Sequence, residues 1–91
     1  MSYRLEYSKY AEKTLAKYKK SNQIAFKKCE RLLKEITEHP RMGTGHPEPL
    51  VSGNDVTYSR RITANDRIIY DIYDDIVVVM ILSIEGHYDD K

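Results

Sequence analysis

The sequence predicts an α+β domain, residues 1–91, in which two N-terminal helices pack on a mostly antiparallel four-stranded sheet. Two observations predict this class. The apolar residues recur with a helical period in the first half of the chain and with a period of two in the second half. Between the halves lies an irregular stretch with three glycines and two prolines, GTGHPEPLVSG, at positions 43–53. The predicted order of elements is β-α-α-β-β-β, and 91 residues suffice for one modest core.

The first half is predicted to contain one strand and two helices. Residues 3–7 alternate between apolar and charged side chains, which is typical of a half-buried strand, and Ser8 is placed to cap the helix that follows. That helix is predicted to end within residues 19–22. A second helix is predicted from about Gln23 to Glu38, because His39 precedes a proline and therefore disfavours helical backbone. Its buried side is formed by Ala25, Cys29, Leu32 and Ile36.

The second half is predicted to contain three strands. Side chains alternate through residues 56–62 and again through residues 68–72, and the segment TANDR at 63–67 and the pair Asp74-Asp75 have the composition of turns. The run IVVVMILSI at 76–84 is apolar on both faces. Such a run favours a central strand that is covered on both sides.

Composition limits the classes of function. The net charge of +1 gives no strong global attraction to a polyanion. The single cysteine, Cys29, excludes an internal disulfide and metal sites built from several cysteines, and we expect it to be a small buried residue. The longest apolar run is far shorter than the roughly 20 residues of a membrane span, and the first residues lack the apolar core of a signal peptide. We therefore expect a reducing, cytoplasmic setting without contact to a membrane.

The polar residues suited to chemistry converge near the ends of the C-terminal strands in this layout. A glutamate can accept a proton and a histidine can donate one near neutral pH. Arginine binds phosphate oxygens through two parallel hydrogen bonds, and a tyrosine ring offers a surface on which a base can stack. Together these groups are suited to breaking RNA, and they are Glu48, Arg60, Arg61, Arg67, His87 and Tyr88.

In this hypothesis the ribose 2′-OH attacks the adjacent phosphate after Glu48 has taken its proton. Arg67 would stabilise the additional negative charge at phosphorus, and His87 would protonate the leaving 5′ oxygen. No cofactor or metal is needed for these steps. The prolines on both sides of Glu48 would make its loop stiff, which gives the carboxylate a fixed position.

The residues alone also allow plainer interpretations. At least one of Arg60 and Arg61 is expected to be a solvated residue on the face of a strand, and Arg67 has a structural interpretation as the partner of Asp66 or Asp71. His87 and Tyr88 lie near the end of the chain, His46 is by default an exposed loop residue, and the many helix lysines are ordinarily a solubilising surface.

Four short motifs add weight to the nuclease hypothesis. The chain reads HPEPL at 46–50, SRRIT at 59–63, DRIIY at 66–70 and HY at 87–88. These motifs resemble KPEPL, SRRI, HRLVY and a terminal HY, the marks of the YoeB branch of the RelE-type toxins from type II toxin–antitoxin systems. Their order and spacing are kept, and the β-α-α pattern before them agrees. The resemblance implies a microbial-RNase-like fold and ribosome-dependent cleavage of mRNA in the A site.

The resemblance also implies roles for single residues. Glu48 matches the general base of the family, Arg67 its transition-state arginine, His87 its general acid and Tyr88 its base-stacking tyrosine. The residues expected to contact the substrate are Arg60, Arg61 and His46.

Partners follow from the same resemblance. The implied partners are a YefM-like antitoxin of the Phd/YefM class, whose C-terminal segment covers the active site, and the ribosome with its mRNA. Operator DNA would be reached only through the antitoxin, and a homodimer is left open.

The chain departs from the family pattern at several positions. His46 and Val51 stand where lysines are usual, and the chain continues past Tyr88 with Asp89-Asp90-Lys91. The implied site is therefore less basic than in the family. The rival interpretation is a catalytically weak or inactive module that binds an antitoxin and acts in autoregulation of its operon. A gyrase-poisoning relative and an ordinary RNA-binding domain rank below it, because the first lacks this acid–base set and the second needs a basic, aromatic sheet face.

Overall fold

Two helices pack on a single five-stranded sheet in the structure, a computed structural model that describes residues 2–50 and 55–86. The strand order is β1-β5-β4-β3-β2, and β1 runs parallel to β5 while the other pairs are antiparallel. The elements are β1 Arg4–Tyr7, α1 Lys9–Ser21, α2 Gln23–Glu38, β2 Glu48–Pro49, β3 Thr57–Arg61, β4 Asp66–Tyr73 and β5 Val78–Gly86.

The predicted α+β class is confirmed, with one strand more than expected. The additional strand is β2, in which Glu48 pairs with Ser59 and Pro49 with Tyr58. Proline is tolerated there because β2 lies at the edge of the sheet. Neither helix in the described part of the chain is long and apolar enough to cross a membrane.

Short polar side chains set the helix boundaries. The Ser8 hydroxyl accepts a hydrogen bond from the Ala11 amide at 2.9 Å and donates one to the Leu82 carbonyl at 2.7 Å, so it caps α1 and attaches it to β5. The side chain of Asn22 caps α2 by accepting a hydrogen bond from the Ala25 amide. The predicted break between the helices is thus confirmed, and it is reduced to Asn22 alone.

The core lies between the helices and one face of the sheet. On β4 this face carries the buried residues Ile68, Tyr70 and Ile72. On β5 a register shift leaves Leu82 without a paired residue on β4. Ile81 and Ile84 therefore both face the core although they are three residues apart. The other core members, from the helices and the remaining strands, are Ala11, Cys29, Leu32, Leu33, Ile36, Tyr58, Ile62 and Val79.

The start of the last strand differs from the prediction. Residues 74–77 form the turn, Val77 has a positive φ of 56°, and β5 begins at Val78 rather than at Ile76. Ile76 is accordingly 62% exposed. An uninterrupted apolar run contains no signal for the turn residue or for the bulge, and this explains both differences.

Candidate active site

Three of the candidate residues lie on the sheet face that is turned away from the helices. Glu48 is paired with Ser59 across β2 and β3, and Arg61 follows two residues later on β3, where it is paired with Arg67 of β4. Directly paired residues place their side chains on the same face, as do residues two apart on one strand. The arginine Cα atoms are therefore about 5 Å apart, and those of Glu48 and Arg61 are diagonal neighbours at about 7–8 Å.

The two arginines of this corner form no ion pair with a side chain that the structure describes. Arg61 is exposed and Arg67 half-buried, and Arg67 is also paired in register with Glu85 of β5. Arg67 forms no ion pair with Asp66 or Asp71, the two structural partners that the sequence suggested. Asp66 accepts a hydrogen bond from the Thr63 hydroxyl instead, and Asp71 from Thr57 and Tyr73. Two guanidinium groups at one corner of the sheet are suited to bind an anion.

Arg60 does not belong to this corner, and the prediction that it contacts the substrate is wrong. It shares the face of Tyr58 and Tyr70 rather than that of Arg61, and its side chain is fully buried. The guanidinium donates to Glu35 Oε1 at 2.7 Å, to two main-chain carbonyls and to Tyr70 Oη. All its donor nitrogens are thus used inside the fold, and none is available to a phosphate.

The loop before Glu48 is attached to α2 and β3. The Thr44 amide donates to Glu35 Oε1 at 2.8 Å, and the Arg61 amide donates to the Gly45 carbonyl at 2.6 Å. Gly45 has a φ of 89°, and a Cβ atom there would lie 2.6 Å from the Arg61 carbonyl oxygen. His46, with a φ of 53°, is exposed next in the chain. His46 therefore follows the attached segment directly and is open to solvent.

A second set of contacts, not foreseen from the sequence, is formed around Arg41. Its guanidinium forms ion pairs with Asp55 at 3.1 Å and Asp74 at 2.9 Å and lies 5.8 Å from the centre of the Tyr58 ring. Tyr3 Oη also donates to Asp74 at 2.6 Å. Hydrogen bonds from Arg41 and Tyr3 hold the pKa of the Asp74 carboxyl below its usual value. These contacts join the start of the loop, at Arg41, to the turn at residues 74–77 and to Asp55, which lies two residues before β3.

A cleft of about 390 Å³ opens beside this corner. It is lined by Lys28 and Leu32 of α2, by Thr44 and Gly45, and by residues 61–64. Among the described candidate residues, Arg61 alone lies on its wall, whereas Glu48 and Arg67 do not. The arrangement of charges on the sheet, rather than this apolar cleft, therefore defines the candidate site.

The remaining candidates are of two kinds. His87 and Tyr88, the tail Asp89-Asp90-Lys91 and Val51 lie outside the described residues. Cys29 is buried in the core, and burial raises the pKa of its thiol to about 12, so it is unsuited to act as a nucleophile. Within residues 2–50 and 55–86, no group of three or more histidine, cysteine or acidic side chains could hold a metal ion.

Comparisons with known proteins identify the family and the fold of the chain. The model of a family described as YoeB-like toxin of bacterial type II toxin–antitoxin systems matches residues 7–88. The Toxin YoeB of Escherichia coli K12 is 32% identical over 62 residues, which are 68% of this chain and 74% of that protein. The fold is shared with a YoeB/ParE toxin from Agrobacterium tumefaciens, with a TM-score of 0.85 and 24% identity over 93% of this chain and 99% of that one.

A Staphylococcus aureus YoeB is also similar. As a YoeB dimer, its structure has a TM-score of 0.83 and 29% identity, covering 97% of this chain and all of that chain. In a YoeB–YefM complex the TM-score is 0.79 and the identity 30%, with the same coverage.

Proposed function

This chain belongs to the YoeB-like toxins of bacterial type II toxin–antitoxin systems, and we propose that it is an endoribonuclease that cleaves mRNA in the A site of the ribosome. The observation that carries the proposal is the direct pairing of Arg61 with Arg67, with Glu48 on the same face. Like charges placed opposite each other in a sheet destabilise it, and an arrangement with this cost favours a role in binding an anion.

The chemistry assigns one task to each group. Glu48 accepts the proton of the ribose 2′-OH, whose oxygen forms a bond to the adjacent phosphorus while the bond to the 5′ oxygen breaks. Arg67 stabilises the charge that develops on the phosphoryl oxygens, and Arg61 holds the backbone of the substrate. His87 donates a proton to the leaving 5′ oxygen, and Tyr88 stacks on a base. The products are a 2′,3′-cyclic phosphate and a 5′-hydroxyl.

The distribution of charge supports docking to ribosomal RNA. Residues 9–34 contain nine lysines and arginines and two acidic residues, whereas the rest of the chain contains six basic and twelve acidic residues. The outward sides of the two helices are therefore strongly basic despite the net charge of +1. All nine of these cations are exposed: Lys9, Lys13, Lys17, Lys19, Lys20, Lys27, Lys28, Arg31 and Lys34. Such a surface attracts the phosphates of folded RNA through counterion release.

The partners follow from the family. We propose that a YefM-like antitoxin neutralises the toxin, as the name of the Staphylococcus aureus complex suggests for that protein, and that operator DNA is reached only through the antitoxin. Because a YoeB from the same organism is a dimer in its structure, we also propose that this protein can form a homodimer. Action on translating ribosomes places the protein in the cytoplasm.

The test is to induce the protein in cells and to map mRNA 5′ ends, with Glu48→Gln as the matched inactive variant. We expect cuts in phase with the reading frame for the parent and a loss of about 10²–10⁴-fold for Glu48→Gln, the usual contribution of a general base. His87→Gln should give a loss of similar size. Equal cleavage by the parent and both variants would contradict the acid–base assignment.

The second candidate function is an antitoxin-binding module without significant nuclease activity. It is favoured by the exposed His46 at a position where the family usually has lysine. The same experiment separates the candidates, because such a module would bind the antitoxin tightly and leave the mRNA intact.

A further inference from the structure

We infer that Arg60 and Glu35 are positioning residues for the general base: their ion pair holds the loop at residues 39–46 in the arrangement that presents Glu48. The inference rests on the proposed function of Glu48, but the structural part of it can be tested without any cleavage assay.

The Arg60 guanidinium is the fixed point of the loop. It is buried in the core face of β3 and anchored there by Tyr70 Oη at 3.3 Å. From this position it donates to the carbonyl of His39 at 2.8 Å and to the carbonyl of Met42 at 3.0 Å. The guanidinium therefore connects the sheet to the segment that follows α2.

Glu35 extends the attachment along the loop. Its Oε1 atom accepts from Arg60 at 2.7 Å and from the Thr44 amide at 2.8 Å, and its Oε2 atom accepts from the Thr44 hydroxyl at 3.2 Å. Gly43 leaves room for this carboxylate, because a Cβ atom at that position would lie 2.8 Å from the Glu35 side chain. The carboxylate thus forms the ion pair with Arg60 and binds Thr44 of the loop at the same time.

The chain between Gly45 and Glu48 has little freedom left. The Gly45 carbonyl accepts from the Arg61 amide, and after Glu48 the Leu50 amide donates to the Thr57 carbonyl at 3.0 Å. Only His46 and Pro47 separate the first attachment from the carboxylate, and the φ of proline is fixed. Glu48 is therefore held from two sides, by the pairing of β2 with β3 and by the ion pair through residues 43–45.

The use of an ion pair at this place supports a positioning role. Arg60 is fully buried and the Glu35 side chain is 32% exposed, and taking charges out of water in this way gains little stability compared with apolar residues of similar volume. Apolar residues, however, would give no hydrogen bonds to the carbonyls of His39 and Met42 or to the Thr44 amide. The pair is therefore explained by the attachment of the loop better than by stability alone.

Two variants of the ion pair test the inference. Arg60→Met removes the buried charge and its hydrogen bonds, and Glu35→Met removes the acceptor shared by Arg60 and the Thr44 amide. Glu35→Met decides the question if Arg60→Met does not fold. Gly45→Ala displaces the loop directly, through clashes with the Arg61 carbonyl oxygen and Arg60 Cγ, while both charges remain. Val79→Ala is the control for a general loss of stability, since its strand partners are Leu5 and Ile72 rather than residues of the loop.

The first measurement is amide hydrogen exchange, which requires no activity. In Arg60→Met and Glu35→Met we expect the amides of Thr44 and Arg61 to exchange at least about tenfold faster, while the amides of β4 remain as protected as in Val79→Ala. Unchanged exchange of the Arg61 amide in both ion-pair variants would overturn the inference.

The second measurement is mRNA cleavage on ribosomes. We expect kcat to fall by about ten- to a hundredfold with KM nearly unchanged, since the base is displaced and substrate docking is not. In a Glu48→Ala background, Gly45→Ala should have no further effect, whereas in an Arg67→Lys background it should lower the rate by the full factor. An equal loss in the Glu48→Ala background would overturn the positioning role. A parent that cuts no mRNA would refute the proposed function, and the exchange result would still decide whether the pair holds the loop.

Discussion

Arg61 on β3 and Arg67 on β4 are direct cross-strand partners although both carry a positive charge. In an antiparallel sheet such a pair costs stability. On its other side Arg67 is paired with Glu85 of β5, whereas Arg61 lies on the strand next to Glu48, which is on the same face and two residues removed along β3. The corner therefore combines a carboxylate with two cations, the groups that the proposed in-line attack on a phosphodiester uses.

Because the two arginines repel each other, removing one of them should raise stability and lower activity. Arg61→Gln should raise the free energy of unfolding at low salt by about 0.2–1 kcal/mol, because it removes one of two opposed charges. The same variant should weaken substrate binding, since it loses a phosphate contact. Chemical denaturation at several salt concentrations measures the first effect, and the gain should shrink as salt screens the charges.

The control for this prediction is Arg4→Gln. Arg4 is an exposed strand arginine paired with Glu6 at 3.0 Å, so its removal should give no such gain. A parent more stable than Arg61→Gln at low salt would contradict the prediction.

The charge of Arg67 alone is not expected to suffice for its role. Arg67→Lys keeps the charge, but lysine is a point charge and does not bind two phosphate oxygens in parallel. We expect a large fall in the cleavage rate with an unchanged fold, measured in single-turnover assays and by circular dichroism. Full cleavage by this variant would mean that Arg67 contributes only its positive charge and that two parallel hydrogen bonds to the phosphate are not needed.

Much of this fold could be predicted from the sequence because its helices carry local signals. Ser8 and the residue before Pro40 mark helix ends through short-range chemistry, and both boundaries are found where they were predicted. The start of β5 could not be predicted in the same way. Val77 is a β-branched residue in a left-handed conformation, and tertiary contacts override the local preference there.

The site was less predictable than the fold for a similar reason. Arg60 and Arg61 are adjacent and chemically equal in the sequence, and only the alternation of β3 places one in the core and the other on the open face. The partner of Arg60 is Glu35, 25 residues earlier on α2, and no sequence pattern marks this ion pair. Residues that act through distant contacts are thus hidden in the sequence, whereas those in short motifs are not.

The lowered pKa of Asp74 predicts how stability depends on pH. A carboxyl whose folded-state pKa lies below its unfolded value of about 3.9 stabilises the fold above that value. This contribution is lost as the pH falls through the folded-state pKa. The parent should therefore be more stable than Asp74→Asn at pH 7, and the difference should shrink as the pH is lowered below about 4.

Urea denaturation of both proteins across this pH range measures the difference. Asp75→Asn is the control, since Asp75 is an exposed neighbour on the same turn without an ion pair to a described residue. A difference between parent and Asp74→Asn that stays constant from pH 7 to pH 3 would contradict the role of Arg41 and Tyr3 in holding this carboxylate ionised.

The basic outer side of the helices predicts a salt-dependent affinity for ribosomes. Lys13 and Lys17 are exposed on α1 and lie one turn apart, so Lys13→Gln/Lys17→Gln should leave the fold unchanged within about 0.5 kcal/mol. The steepness of log affinity against log salt should fall by about 0.7–0.9 for each lost phosphate contact. The double variant should therefore bind ribosomes more weakly than the parent at low salt, and this difference should shrink as the salt concentration rises. Arg4→Gln, which removes a cation from β1, should keep the parent's slope. An unchanged slope in the double variant would show that these lysines serve solubility rather than docking, and the acid–base chemistry proposed for Glu48 would be unaffected by that result.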